Sequence, residues 1–153
     1  MPSKMSDSER DAFVSRPHLG YLGITRVSKG PLLAPIWYHY DPAIGIRINI
    51  GATSAKTRRL QAEGRASMLV VEAANGMYSS VLAEGPVTIK PLGDDTEAAI
   101  LAMSTRYLGV AGGKRYTDDF MRKLASNDFP DGHGDSEVVV SITPDSWRTE
   151  ILP

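Results

Sequence analysis

Hydroxyl and basic side chains gather where a helix is predicted to begin, at Thr53, Ser54, Lys56, Arg58 and Arg59. The first turn of a helix leaves backbone N–H groups unpaired and carries the positive end of the helix dipole. Added hydroxyls and cations make such a start a suitable site for a phosphate or another dianion. The same spacing is also typical of an ordinary capped helix whose basic residues point into water. Residue spacing leaves both interpretations open.

The adjacent aromatic residues Trp37 and Tyr38 lie on a predicted strand shortly before that helix. An aromatic edge here could flank a planar ring whose phosphate reaches Ser54 and Lys56. Neighbouring residues of a strand point to opposite faces, so only one of the two side chains can line such a site. The alternative is that one ring belongs to the core and the other to the surface.

The sequence offers little support for other kinds of catalytic site. The chain has no cysteine, which excludes disulfides, thiolate metal sites and cysteine nucleophiles. His18, His39 and His133 lack the spacing of metal ligands. Gly112-Gly113-Lys114 lacks the strand and the following hydroxyl of a phosphate loop. We interpret it as a link between two helices, from which Lys114 and Arg115 could contact an acidic cofactor tail.

The composition predicts one ordinary globular domain. The chain has 153 residues, 42% of them hydrophobic and 23% charged, which is enough for one core and too short for two. Its net charge of −1 argues against nucleic acid or an anionic membrane as the main partner. Residues 1–10 are polar and contain no signal-peptide core, and no apolar run is long enough for a membrane span. We therefore expect a cytoplasmic protein.

Hydrophobic periodicity and turn residues predict the elements. Ser6 and Glu9 have the spacing of a capping box, Asn75-Gly76 is typical of a tight hairpin turn, and Gly85-Pro86 predicts a bulge or barrel corner. Strict alternation of Ile46, Ile48 and Ile50 with polar residues indicates a half-buried strand. Helices are predicted at 7–15, 54–62, 96–108 and 117–125, a loop at 130–134, and strands at 18–25, 32–40, 46–50, 66–73, 77–90 and 137–142.

The sequence predicts six or so short antiparallel strands, with a helical segment between the last two. This pattern is typical of a small β-barrel with flanking helices. The fold class is mainly β (α+β). A ferredoxin-like sandwich fits less well, because the first five elements contain only one short crossover helix. We divide the chain into a helical N-terminal extension, residues 1–15, and a single domain, residues 16–153.

Ordered motifs from about Arg16 to Trp147 resemble the pyridoxamine 5′-phosphate oxidase-like family of split β-barrels. The branch most similar is that of the flavin/deazaflavin-dependent oxidoreductases common in actinobacteria. No single motif is highly specific; their order and spacing carry the resemblance. The motifs are Pro35-Ile36-Trp37-Tyr38, Ser54-Ala55-Lys56-Thr57-Arg58-Arg59-Leu60, Gly64-Arg65-Ala66-Ser67, Val81-Leu82-Ala83-Glu84-Gly85 and Ile142-Thr143-Pro144-Asp145-Ser146-Trp147.

This resemblance implies a six-stranded antiparallel split β-barrel that forms a homodimer. Two molecules of FMN or of the deazaflavin coenzyme F-420 would bind in grooves at the subunit interface. Ser54, Lys56 and Arg59, beside Thr53, would hold the cofactor phosphate, and Ser79 or Ser80 would meet the ring edge. The remaining residues expected to follow the ring are Pro35, Ile36, Trp37, Tyr38, Asn49 and Ile50.

The resemblance further implies an oxidoreductase that transfers a hydride between the reduced cofactor and a small conjugated or quinone-like acceptor. No side chain is assigned a catalytic role, because the cofactor itself carries out such chemistry. The deazaflavin is slightly preferred, although Arg59 and the Asn49-Ile50 pair depart from that branch. Oxidation of pyridoxamine phosphate is not predicted. Pyridoxamine phosphate oxidases bind their substrate through a tail that contains arginine and histidine, and that tail has no clear counterpart here. Two alternatives are a non-catalytic protein that binds or stores FMN, haem or deazaflavin, and a dimerisation module with an empty groove.

Overall fold

The computed structural model describes residues 2–126 and 137–152. Within these ranges the chain forms three helices and eight strands. In chain order they are α1 (Asp7–Ser15), β1 (Gly20–Ile24), β2 (Leu32–Ile36), β3 (His39–Asp41), β4 (Gly45–Gly51), α2 (Ala55–Glu63), β5 (Arg65–Ala74), β6 (Met77–Pro91), α3 (Thr96–Ser126), β7 (Glu137–Ile142) and β8 (Ser146–Leu152).

The strands form an antiparallel barrel in the order β2-β1-β5-β6-β7-β4-β3, with β8 paired to β6. Strand β6 belongs to both halves of this barrel. Its residues 77–86 pair with β5, and its residues 87–91 pair with β7. The predicted α+β barrel fold is confirmed, with eight strands rather than six. The N-terminal segment also joins it, because Ser3 forms a bridge with Ile151.

The barrel interior holds the main hydrophobic core. Ile46, Ile48 and Ile50 of β4 are all buried there, as their alternation predicted. Phe13 and Val14 of α1 belong to the same core, so the N-terminal helix covers one opening of the barrel. A second, smaller cluster centred on Ile100, Met103 and Phe120 lies along α3.

The first two helices follow their sequence signals. Ser6 and Glu9 form both hydrogen bonds of the capping box at the start of α1. Ser54 caps α2 by accepting the N–H of Thr57, and Gly64 ends that helix. The Asn75-Gly76 turn joins β5 to β6 as predicted, and both of its residues have positive φ.

The third helix differs from the prediction. Only Gly109 interrupts it, with φ 74° and ψ 179°, so the second helical half begins before residue 117 and includes the glycine pair. At Gly113 a Cβ atom would lie 2.4 Å from the Thr105 hydroxyl oxygen, and the Ser104 hydroxyl donates to the Gly113 carbonyl over 3.1 Å. The glycine therefore lets the two halves of α3 pack closely, and the prediction of a linking loop there was wrong.

Three further differences concern strands. The predicted strand 32–40 breaks at Trp37-Tyr38 into β2 and β3, and β8 was not predicted. No bulge interrupts the pairing of β5 with β6; Gly85 instead marks the corner, where a Cβ would lie 2.0 Å from the Thr143 carbonyl oxygen. The predicted loop 130–134 lies outside the described residues.

Candidate functional site

A cavity of about 250 Å³ opens between the end of β2, the middle of β4 and α3. Four of the sequence-predicted site residues line it together: Pro35, Ile36, Trp37 and Asn49. The remainder of its wall is mostly apolar and aromatic, from Ile100, Met103, Tyr116, Phe120 and Glu137.

Trp37 and Tyr38 point in different directions, as their adjacency predicted. The Trp37 ring stacks on Tyr107 of α3 with centroids 4.8 Å apart and planes 2° from parallel. The Tyr38 ring is fully buried in the barrel core, where its hydroxyl donates to the Val14 carbonyl over 2.7 Å. Burial raises the pKa of Tyr38, so the phenol remains protonated. Its side chain serves the core and does not line the cavity.

The backbone of Tyr38 is also engaged within the chain. Its N–H donates to the Tyr107 hydroxyl over 3.1 Å, and its carbonyl accepts from the Arg106 guanidinium. Arg106 also donates to the carbonyls of Ser15 and Arg16, both over 2.9 Å. These bonds attach α3 to the end of α1 and to the β2–β3 connection. They position the aromatic wall of the cavity.

The start of α2 contains both engaged and free polar groups. The Ser54 and Thr57 hydroxyl oxygens lie 3.1 Å apart, and Thr57 donates its hydroxyl hydrogen to the Gly51 carbonyl. Ser54 must therefore be the donor in that pair, which supports its capping role. The half-buried Lys56 differs, because its ammonium has no hydrogen-bond or ion-pair partner in the part of the chain that the structure describes. Its backbone N–H and that of Ala55 are also unpaired within these residues.

The start of α2 is connected through a strand pair to the wall of the cavity beside Trp37. Gly51 pairs with Glu137, which lines the cavity, and the Gly51 carbonyl accepts the Ser54 N–H over 3.1 Å. The first turn of α2 is therefore attached to the strand end that borders the cavity wall. Thr53 lies in the turn just before the N-cap Ser54, and its carbonyl accepts a hydrogen bond from Arg58 over 2.5 Å.

Four of the predicted residues have other surroundings. Arg59 donates to the Thr25 carbonyl over 3.2 Å and forms an ion pair with Glu63, so it attaches α2 to β1. Ile50 faces the core. Ser79 and Ser80 lie on β6 opposite β5 and β8, and neither borders the cavity beside Trp37.

A larger cavity of about 520 Å³, which we call the α3 groove, was not recognised from the sequence. It lies between the outward face of β3, β4 and β7 and the first half of α3. Asn49 and Met103 border both cavities, so the two adjoin. The α3 groove is lined by His39, Asp41, Ile44, Gly45, Arg47, Asn49, Lys90, Pro91, Gly93, Asp95, Ala99, Ala102, Met103, Val139 and Ser141.

Several polar atoms in the wall of the α3 groove are buried without a partner: His39 Nδ1, Arg47 Nε and Asn49 Nδ2. Burial, with Arg106 and Arg47 nearby, lowers the pKa of His39, while Asp41 opposes the shift. His39 is therefore neutral at pH 7. The alternation in β4 was the only sequence signal for this wall. It predicted that Arg47 and Asn49 lie on the face of the strand that is turned away from the buried isoleucines.

The barrel also has an apolar outward face on β2, β1, β5 and β6. Strand pairing aligns Pro35, Tyr21, Leu69 and Leu82 in one row across these four strands. Tyr21 and Leu69 are 42% and 37% exposed, and exposed apolar residues that adjoin one another are typical of interaction surfaces. This row ends at Pro35, a residue of the smaller cavity.

The described part of the chain contains neither a cluster of metal ligands nor a membrane-spanning helix. In residues 2–126 and 137–152, no three His, Asp or Glu side chains are arranged to hold a metal ion. None of the helices in that part of the chain combines the length and hydropathy of a membrane span.

No protein-family model matches the sequence, but solved structures with similar folds do. An FAD-binding protein from Mesorhizobium loti superposes with a TM-score of 0.70 at 16% identity, covering 100% of this chain and 98% of that one. An F-420 reductase gives 0.62 at 22% identity, covering 90% and 94%. A haem storage protein from Vibrio cholerae gives 0.65 at 10% identity, covering 94% of both chains.

These similarities establish the fold. The chain has the split-barrel fold of the pyridoxamine 5′-phosphate oxidase-like proteins, as the sequence resemblance predicted. At 10–22% identity they say nothing further about what this chain binds.

Proposed function

We propose that this protein is a cytoplasmic, homodimeric oxidoreductase that binds a flavin-type cofactor and passes a hydride to a small conjugated or quinone-like acceptor. The observation that carries the proposal is at the start of α2, where the ammonium of the half-buried residue Lys56 has no hydrogen-bond or ion-pair partner among the described residues. It lies beside two unpaired backbone N–H groups, next to a strand end that borders an aromatic cavity. A phosphate bound there and a planar ring at Trp37 would use both features.

The residues present fit such a cofactor. Lys56 supplies a cation, and Ser54 can turn its hydroxyl from Thr57 toward a phosphate oxygen while it still accepts the Thr57 N–H. Asn49 Nδ2, buried without a partner, could donate to a carbonyl oxygen or ring nitrogen of the cofactor. Both FMN and coenzyme F-420 offer these acceptors, and the motif resemblance favours the deazaflavin.

When bound, the cofactor supplies the hydride chemistry. The chain positions it and excludes water from its ring. Trp37 is held parallel to Tyr107, and Arg106 fixes α3 over the cavity through three backbone carbonyls. No side chain is required as an acid or base at the cavity beside Trp37.

Homodimer formation is part of the proposal, because the cavity beside Trp37 is small for a cofactor site. The cavity beside Trp37 measures about 250 Å³, below the range of roughly 300–1,000 Å³ that is usual for small-molecule sites. Pairing two copies through the apolar row would place partner residues against Pro35 and extend this cavity. Such pairing would also cover Tyr21 and Leu69.

The dimer is tested by Leu69→Arg in sedimentation analysis. Because a buried unpaired charge is unfavourable at an apolar interface, we expect the wild type to sediment as a dimer and the variant as a monomer. Leu101→Arg, on the surface of α3 at 41% exposure, is the matched control and should remain dimeric. A wild type that sediments as a monomer would contradict the dimer.

Cofactor binding and turnover are tested separately. Purified protein is titrated with FMN and with F-420, followed by fluorescence. Binding of FMN without F-420 would overturn the preference for the deazaflavin, and binding of neither would overturn the proposed function. Reduced cofactor bound to the protein is then mixed with enones and quinones. Reoxidation at a rate above that of free cofactor supports an oxidoreductase, whereas binding without reoxidation indicates a storage or carrier protein.

A further inference from the structure

We propose that the α3 groove binds a small molecule with a carboxylate on a flat apolar body, held by Arg47 with Asn49 and His39. Only one part of this inference rests on the proposed function, namely that the bound molecule accepts the hydride. The binding itself depends on the groove alone.

The unpartnered atoms indicate which chemical group fits. Arg47 Nε and Asn49 Nδ2 are both donors, so they require an acceptor such as a carboxylate or carbonyl oxygen. The Asn49 amide carries two N–H hydrogens, so one can meet this ligand while the other meets the cofactor. Neutral His39 can present an N–H at Nδ1 from the adjacent strand, where it pairs directly with Arg47. An unsatisfied buried donor is unfavourable, and a ligand oxygen brought into the groove would relieve this.

The geometry of Arg47 favours a carboxylate over a lone carbonyl. Its Nη1 donates to Asp95 over 3.3 Å, which leaves the edge formed by Nε and Nη2 without a partner in residues 2–126 and 137–152. This edge matches the two oxygens of a carboxylate. The Asp95 side chain is 72% exposed, so its long contact orients the guanidinium and neutralises it only weakly.

The opposite wall indicates the body of the ligand. The first half of α3 presents Ala99, Ala102 and Met103 to the groove. The two alanines leave open space above the polar strand face, and Val139 supplies an apolar contact from β7. A flat apolar group fits between these surfaces. Because Met103 and Asn49 also border the cavity beside Trp37, this group would extend toward the proposed ring site.

Other charges at the groove act in both directions. Lys90 adds a cation at its edge, whereas Asp41 adds an anion. Asp95 also lines the groove, so its two cations and two anions sum to zero, and the unpartnered Nε–Nη2 edge of Arg47, rather than a net charge, decides the preference for an anion. The proposal therefore predicts that one side chain dominates recognition of the carboxylate.

The experiment uses cofactor-free protein and two probes, naphthalene-2-carboxylate and its uncharged amide, with affinities measured by calorimetry. We expect the wild type to bind the carboxylate at least 10-fold more tightly than the amide. Arg47→Met should weaken carboxylate binding by about 10- to 150-fold, the range expected for a charge-assisted hydrogen bond. Arg122→Met removes an exposed arginine paired with Asp119 on the second half of α3 and should change nothing.

Two further variants keep the result decisive. Arg47→Lys keeps the positive charge but cannot form a bidentate hydrogen bond to a carboxylate, so its affinity for the carboxylate should also fall. Asn49→Ala should also weaken carboxylate binding, and it provides the test if Arg47→Met fails to fold. Equal affinity for carboxylate and amide, or carboxylate affinity unchanged in Arg47→Lys and Asn49→Ala, would overturn the proposal.

The outcome is distinguishable from failure of the proposed function. Lys56→Glu should weaken binding of FMN and F-420 but leave the affinity for naphthalene-2-carboxylate unchanged. Carboxylate binding by a protein that binds neither cofactor would support the groove and refute the oxidoreductase. Cofactor binding without carboxylate binding would refute the groove proposal and support the proposed cofactor site.

Discussion

Replacement of Lys56 by glutamate tests the anion site at the start of α2. Its ammonium has no partner among the described residues, so its removal breaks no hydrogen bond or ion pair within residues 2–126 and 137–152. One charge-assisted hydrogen bond to a phosphate contributes about 1.5–3 kcal/mol, which corresponds to roughly a 10- to 150-fold increase in Kd. The new carboxylate also repels the dianion, so we expect Lys56→Glu to give a value near the top of this range.

Stability should not follow affinity in this variant. A glutamate in the first turn of a helix interacts favourably with the helix dipole, so the free energy of unfolding should stay within about 0.5 kcal/mol of the wild type. Fluorescence titration with FMN and F-420 measures Kd, and urea denaturation measures stability. Lys29→Glu, in the β1–β2 turn, makes the same charge change elsewhere and should leave Kd unaltered. Wild-type affinity in Lys56→Glu would refute the assignment of this residue.

Other expectations concern stability. Gly85→Ala should lower the free energy of unfolding in urea by at least about 2 kcal/mol, because its Cβ would lie 2.0 Å from the Thr143 carbonyl oxygen; a wild-type midpoint would contradict the corner geometry. Tyr38→Phe should lower it by about 1–2 kcal/mol through loss of the bond to Val14, and an unchanged Tm would contradict that role. Burial lowers the pKa of folded His18, so the unfolded chain takes up a proton first as the pH falls below about 6.5. Stability should decrease over this interval, and His18→Gln should show a shallower pH dependence; equal slopes would exclude His18 as a source.

Local signals in the sequence were sufficient for the elements that they govern. Alternation of Ile46, Ile48 and Ile50 defined β4, and Ser6 with Glu9 defined the start of α1, because each depends on near neighbours in the chain. The break at Trp37-Tyr38 depends instead on Arg106, almost seventy residues away. The mixed polar and apolar residues of β8 pair with β6 without a strict alternation of their own.

The candidate site divides in the same way. Short-range motifs directed attention to Trp37 and the start of α2, and the family resemblance to Asn49; Trp37 and Asn49 both line the smaller cavity. The α3 groove could not be derived, because it exists only where α3 covers the polar side of β4. The role of Arg59 in joining α2 to β1 also depends on Thr25, which is distant in sequence.

The passage of β6 from one sheet to the other has a mechanical consequence. At Gly85-Pro86 a single uninterrupted strand passes from one half of the barrel to the other and pairs with strands of both. The β6 amides on either side of this corner should exchange their hydrogens for deuterium in a single cooperative opening. Force applied to β8, which pairs with residues 78–84 of β6, would be transmitted along β6 to β7, one of the strands that line the α3 groove.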